Sequence, residues 1–309
     1  MLFNNIVLQL KREIWEYRFS FIWMPLIAVV IPILIVMLML SHVSDLVMAG
    51  NGGFEMNGNH FKDFVVAPQA GSEPYFDFHK PNAFHFFATF GLVISWVIFS
   101  LIYFVCALNF SFSCLFSDRK NNNILFWRSL PVSETLNVIS KLITIVFVIP
   151  VIAAVFWALS VSLILFGGVV YAGDFSLLSS LSAHITLPNV TGFSMSFIWN
   201  ALVFLPYASW ALFMSALVRN HPGVIGILFP VMLWIIDELA QRFLGFGLGF
   251  QTLIRGYGHL ASGYFSASNT DPIAFIFSAQ FAKVMLVSLS IAAMFGSAAI
   301  WLRNHRYEI

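Results

Sequence analysis

The chain has 309 residues, of which 60% are hydrophobic and only 9% charged, whereas a soluble domain carries about 25% charged residues. Its mean hydropathy is +0.87, and 15 Lys and Arg against 14 Asp and Glu leave a net charge of +1. These values exclude an ordinary soluble enzyme, a disordered chain and a nucleic-acid binder, and the two cysteines, Cys106 and Cys114, exclude a disulfide-stapled scaffold.

In chain order, Phe3, Ile6, Val7, Leu10, Ile14 and Tyr17 recur at helical spacing, with Asn4, Asn5, Gln9, Arg12, Glu13 and Glu16 mainly opposite. The spacing predicts an amphipathic helix lying along a membrane surface. A first apolar stretch follows at residues 21–40, long enough to cross a bilayer, which takes about 20 apolar residues. It is too long for a cleavable signal peptide, and no small-x-small site follows it, so it is expected to remain as an anchor. The polar, glycine-rich loop at 41–83 is predicted to hold a small hairpin or short helix. Its histidines, His60 and His79, show no metal-ligand spacing.

The second and third spans are predicted at 84–115 and 142–170, both longer than the bilayer is thick and therefore tilted or projecting into water. The connection between them starts polar at Asp118, Arg119 and Lys120 and turns apolar at Ile124, Leu125, Phe126 and Trp127 before Arg128, Leu130 and Pro131. Pro131 removes a donor and ends the turn. Ser133 is placed to cap the helix leading into the third span, with Lys141 snorkelling at its entry. An apolar patch on a short helix outside the membrane calls for a partner.

The fourth and fifth spans, 197–218 and 223–244, are joined by the tight Arg219-Asn220-His221-Pro222 hairpin. Asp237 and Glu238 sit in the far part of the fifth span, where charges are rare and mark function by default. Glu238 and Arg242 have the favourable i,i+4 spacing. The stretch at 245–277 has too many breakers to cross and reads as a pair of short re-entrant or interfacial helices before the sixth span, 279–302. Period-two alternation is absent, which argues against a β-barrel.

Six crossings put both termini on one side. That side collects ten of the fifteen Lys and Arg residues and only five of the acids, so it is expected to be cytoplasmic. The chain has no Gly-x-x-x-x-Gly-Lys-Ser/Thr loop for a nucleotide and no His-Glu-x-x-His zinc motif. Gly192-Phe193-Ser194-Met195-Ser196 lacks the last glycine of a nucleophile elbow and is expected in a loop. Cys106 and Cys114 lie about 12 Å apart along one helix and do not pair. Prolines 25, 32, 150, 206 and 230 interrupt four spans, tolerated where neighbours satisfy the freed backbone groups.

The whole pattern resembles the ABC-2 type permeases, the membrane subunits of bacterial ATP-binding cassette exporters. The local likeness is carried by Asp118-Arg119-Lys120, then Leu125-Phe126-Trp127-Arg128-Ser129-Leu130-Pro131-Val132-Ser133, then Lys141. These are similar to the family's coupling-helix segment. The resemblance implies a single all-α transmembrane permease domain over 1–309, with an N-terminal interfacial helix, a cytoplasmic coupling helix and external re-entrant helices. It also implies a homodimer in the bacterial inner membrane and a separate cytoplasmic ATPase that docks on Asp118, Arg119, Leu125, Phe126, Trp127, Arg128, Leu130 and Pro131. That ATPase binds ATP and Mg, so this chain has no catalytic residue, metal or cofactor of its own. Asp237, Glu238 and Arg242 are the candidates for an outer gate. Rival readings are a polytopic lipid-modifying enzyme, which needs titratable side chains converging at one level, and an ion-coupled carrier, which needs charges across the bilayer.

Overall fold

The computed structural model describes residues 2–42, 55–56, 59–66, 75–80, 82–120, 133–177, 187–267 and 276–305. Helix α1 (Leu2–Glu16) is followed by six helices long and apolar enough to cross a membrane: α2 (Phe19–Ser41), α3 (Ala83–Lys120), α4 (Glu134–Ala172), α5 (Leu187–Leu217, its crossing part Gly192–Leu217), α6 (Pro222–Leu244) and α8 (Ala279–His305). Helix α7 (Phe250–Ala267) lies between α6 and α8. The chain is thus a polytopic, overwhelmingly helical membrane protein.

The helix ends follow from local chemistry. Ser133 caps α4 by accepting the Leu136 amide at 3.3 Å, as its position before the apolar run predicts. Pro222 occupies the first turn of α6, after His221 in the left-handed region at φ 52°, and Gly245 ends that helix at φ 71°. Helix α3 runs on past the expected Leu115 to Lys120, because nothing in Phe116 to Lys120 breaks it and Arg119 and Lys120 suit its carboxyl end.

Two short π-helical turns, Phe19–Trp23 in α2 and Thr144–Val148 in α4, contain the residues four before Pro25 and Pro150. A proline ring collides with the carbonyl four residues back and supplies no donor for it, so the turn widens.

The chain divides into two compact units. One comprises Ile22–Ile102 and Ala153–Phe193. Its core is an aromatic cluster in which Phe64, Phe76 and Phe78 pack with Phe84, Phe86 and Phe87 at the start of α3. Two antiparallel ladders shape the polar loop, Glu55–Met56 with Asn59–His60 and Val65–Val66 with Tyr75–Phe76. Of the small hairpin or short helix expected here, the loop holds hairpin pairing and also a short 3-10 turn, Phe61–Phe64, and Phe64 and Phe76 dock it. His79 Nε2 meets Asp174 Oδ2 at 3.2 Å, and hydrogen bonds from Ser176, then His79, hold the Asp174 carboxyl below the usual carboxylate range.

The other unit comprises Met1–Phe21, Tyr103–Ile152 and Ser194–Ile309. Here Gly226 of α6 lies against the Phe112 ring and the Met214 side chain. Its carbonyl, four residues before Pro230, accepts Trp210 Nε1 at 3.0 Å. A neighbouring helix thereby satisfies the group that the proline orphans.

The 245–277 stretch, expected to hold a pair of short helices, is described only in part. It includes the 18-residue helix α7, and residues 268–275 lie outside the described set. Tyr257 of α7 donates to the Val203 carbonyl at 2.9 Å and stands 2.9 Å from Ser288 Oγ. Trp199 Nε1 donates to the Ala261 carbonyl at 3.1 Å. These polar contacts fix α7 against α5 and α8. The Gly192 to Ser196 motif, expected in a loop, lies inside α5, because the helix starts earlier, at Leu187.

Candidate functional site

Four helices bring their charges together at one end of the second unit described above. Asp118 sits in the last turn of α3, Glu134 opens α4, Lys141 follows two turns later, Arg303 lies in the last turn of α8, and Arg12 and Glu13 come from α1. Lys141 Nζ donates to Glu13 Oε1 at 2.8 Å and lies 3.5 Å from Asp118 Oδ2, with all three side chains no more than 2% exposed. Arg303 Nε donates to Glu134 Oε2 at 2.7 Å, and its Nη1 stands 3.8 Å from Asp118 Oδ2. Arg12 Nη2 reaches Asp118 Oδ1 at 3.4 Å and Glu16 at 3.0 Å. At the rim, desolvation pushes the Glu16 carboxyl above its ordinary range against the pull of Arg12.

This arrangement corrects one expectation. Lys141 does not snorkel; it is buried at 1% exposure, because Glu13 and Asp118 offer it carboxylates where the helix ends meet. A buried ion is tolerated only when paired and hydrogen-bonded, and here three cations face four carboxylates. Chemically the network is a clamp. Among the described residues, no group of three or more His, Cys, Asp or Glu side chains is arranged to hold a metal.

The sequence reading picked out Asp118 but did not pair it with Glu13, Lys141, Glu134 and Arg303. One signal was available: Asp118, Lys141 and Arg303 border long apolar runs, and ionisable residues at such positions call for a named partner. Arg119, the next residue, points elsewhere. Its guanidinium donates to the carbonyls of Ser215 at 3.3 Å, Ala216 at 3.2 Å and Val218. It therefore caps the carboxyl end of α5, where the helix dipole favours a cation. Leu125, Phe126, Trp127, Arg128, Leu130 and Pro131 lie outside the described residues.

At the far end of α6, Asp237 is fully buried. Its Oδ1 accepts the Leu248 amide at 2.6 Å, and its Oδ2 accepts the Gln251 amide at 2.8 Å. It thus ties α6 to the first turn of α7, satisfying amides that a helix start leaves open. Glu238 pairs with Arg242 at 2.7 Å and accepts Gln251 Nε2 at 2.8 Å, while Arg255 donates to Gln251 Oε1 at 3.2 Å. The Arg242 side chain remains 72% exposed. The three residues singled out from the sequence are therefore adjacent, with Asp237 buried and Arg242 at the surface.

No family model, no curated protein and no solved structure matches this chain.

Proposed function

We propose that the chain is the membrane-spanning permease subunit of an ABC-2 type exporter. It works as a homodimer in the bacterial inner membrane with both termini cytoplasmic, and it couples ATP hydrolysis by a separate ATPase to substrate export. One observation supports this most directly. The connection that carries Leu125, Phe126, Trp127 and Arg128 leaves α3 just after Asp118 and enters α4 just before Glu134. Both of those carboxylates belong to one buried charge network with α1 and α8. A docking segment can transmit force only if its ends are held, and these ends are held to two further helices.

In this reading the ATPase receives Phe126 and Trp127 in a cleft, with Leu125, Arg128, Leu130 and Pro131 around them, while Asp118 and Arg119, expected among the docking residues, instead anchor the end of α3. The partner binds ATP and Mg. On the outer side, Asp237 and the Glu238–Arg242 pair belong to an exit gate, in which α7 moves with the end of α6 that holds it.

The test is co-purification of an ATPase with the chain, followed by substrate-stimulated hydrolysis in reconstituted membranes. Truncating an aromatic interface anchor costs about 2 kcal/mol, so Trp127→Ala weakens docking by roughly 30-fold. Arg128→Glu weakens association as well, and more at low salt. Wild-type docking and hydrolysis in both variants would remove the coupling role of this segment.

A further inference from the structure

We propose that Arg303 is a strap that holds the two ends of the 118–134 connection in fixed separation, and that it is therefore a positioning residue for coupling. This deepens the permease reading and rests on it for its functional consequence, although the strap itself stands on geometry alone.

One guanidinium contacts a carboxylate from each flank of the connection. Arg303 Nε reaches Glu134 at 2.7 Å, on the entry side of α4, and Nη1 stands 3.8 Å from Asp118, on the exit side of α3. The Arg303 side chain is 2% exposed and that of Asp118 is 1% exposed, so water competes little for either. A planar fork with donors on two edges can serve two carboxylates on separate helices at once, whereas an ammonium is a point charge on a flexible stem. Lys141 gives Asp118 a second cation at 3.5 Å and Arg12 a third at 3.4 Å, so Asp118 is held from α4 and α1 as well. Among the described residues, Arg303 is the cation that Glu134 meets. The consequence is mechanical. A push on the connection cannot displace the end of α3 or the start of α4 separately; it moves both, together with the end of α8 that carries Arg303.

The experiment reads separation directly. Cys106 and Cys114 are replaced by alanine, and spin labels are placed on the exposed positions Lys120 and Thr135, which flank the connection. The purified full chain is measured by pulsed electron-electron resonance. A control pair at Lys120 and Asn220 reports the α3 to α5 junction, which Arg119 holds and Arg303 does not touch. The parent chain is expected to give a narrow 120–135 distribution. Glu134→Gln and Arg303→Gln are expected to widen it by roughly half or more, with the control pair unchanged. Arg303→Lys keeps the charge and is the variant most tolerant of folding; it too is expected to widen the distribution. A 120–135 distribution that stays narrow in Arg303→Lys would reduce Arg303 to a neutralising charge and overturn the strap. An unchanged distribution in Glu134→Gln would overturn it equally. In the reconstituted transporter, Arg303→Lys is expected to retain ATPase association while substrate stimulation of hydrolysis falls severalfold. If no ATPase associates with the parent chain, the permease reading fails, while the label distances still decide the strap.

Discussion

Lys141 shows how much a single buried charge depends on its partners. It lies 2.8 Å from Glu13 across 128 residues of sequence and is almost wholly shielded from water. Removing one member of such a pair leaves an uncompensated charge and costs about 3–5 kcal/mol, whereas replacing both by apolar or neutral groups is often harmless. Lys141→Met is therefore expected to lower the thermal stability of the purified chain severely. Glu13→Gln with Lys141→Met should recover most of it, because Asp118 keeps Arg12 and Arg303. A double variant no more stable than the single would show that the pair is not the source of the loss. Asp237 makes the complementary case. Asp237→Ala orphans the Leu248 and Gln251 amides, and their hydrogen exchange is expected to accelerate by roughly tenfold. Arg242, mostly exposed, contributes little to stability, so Arg242→Ala should leave those two amides protected. On the proposed permease reading, reversing both Glu238 and Arg242 should restore the transport lost in either single reversal if the pair alone matters. Transport that stays lost at normal expression would assign these residues to the gate.

At the scale of the element, prolines and glycines decide where helices bend and touch. Pro25 and Pro150 were visible as interruptions, but the π turns beside them follow from the clash with the carbonyl four residues back. Gly226 was not singled out by its sequence, since a lone glycine in an apolar run has several meanings. Its role becomes evident only when Phe112 and Met214 arrive from other helices and Trp210 takes its carbonyl. Small residues let membrane helices approach closely. Gly226→Leu is expected to cost about 1–3 kcal/mol through overpacking, measured by thermal unfolding. Gly223→Ala should be nearly neutral, because its nearest neighbour, Phe112, stands 3.9 Å from the added carbon. Equal losses in the two variants would contradict the close approach at Gly226.

For the whole molecule, the prediction is topological. From the Lys and Arg bias, the 41–83 loop is expected outside and the 118–134 connection inside. In a chain without Cys106 and Cys114, Asp63→Cys should react with an impermeant maleimide in intact cells. Lys120→Cys should react only after permeabilisation. Both positions are exposed, so access to the aqueous compartment decides the result. Equal labelling in intact cells would overturn the six-crossing orientation.

By itself the sequence determined the class of protein, the six helices long and apolar enough to cross a membrane, and several helix ends. Those depend on apolar run length and on chemistry within a few residues, such as Ser133 capping the helix at Leu136. The sequence also marked Asp237, Glu238 and Arg242 as charges in costly places, and Asp118 as the polar start of the connection. Their partners came from far along the chain. Asp237 spends its charge on backbone amides of Leu248 and Gln251 rather than on a side-chain cation. Asp118 meets Lys141, Arg303 and Arg12, which come from three different helices. Local propensity carries no record of such pairings, because they are selected by which helix ends come together once the apolar faces are packed. The tertiary structure alone therefore decided that these scattered charges form one clamp, since burial makes each ion depend on neighbours that only packing supplies.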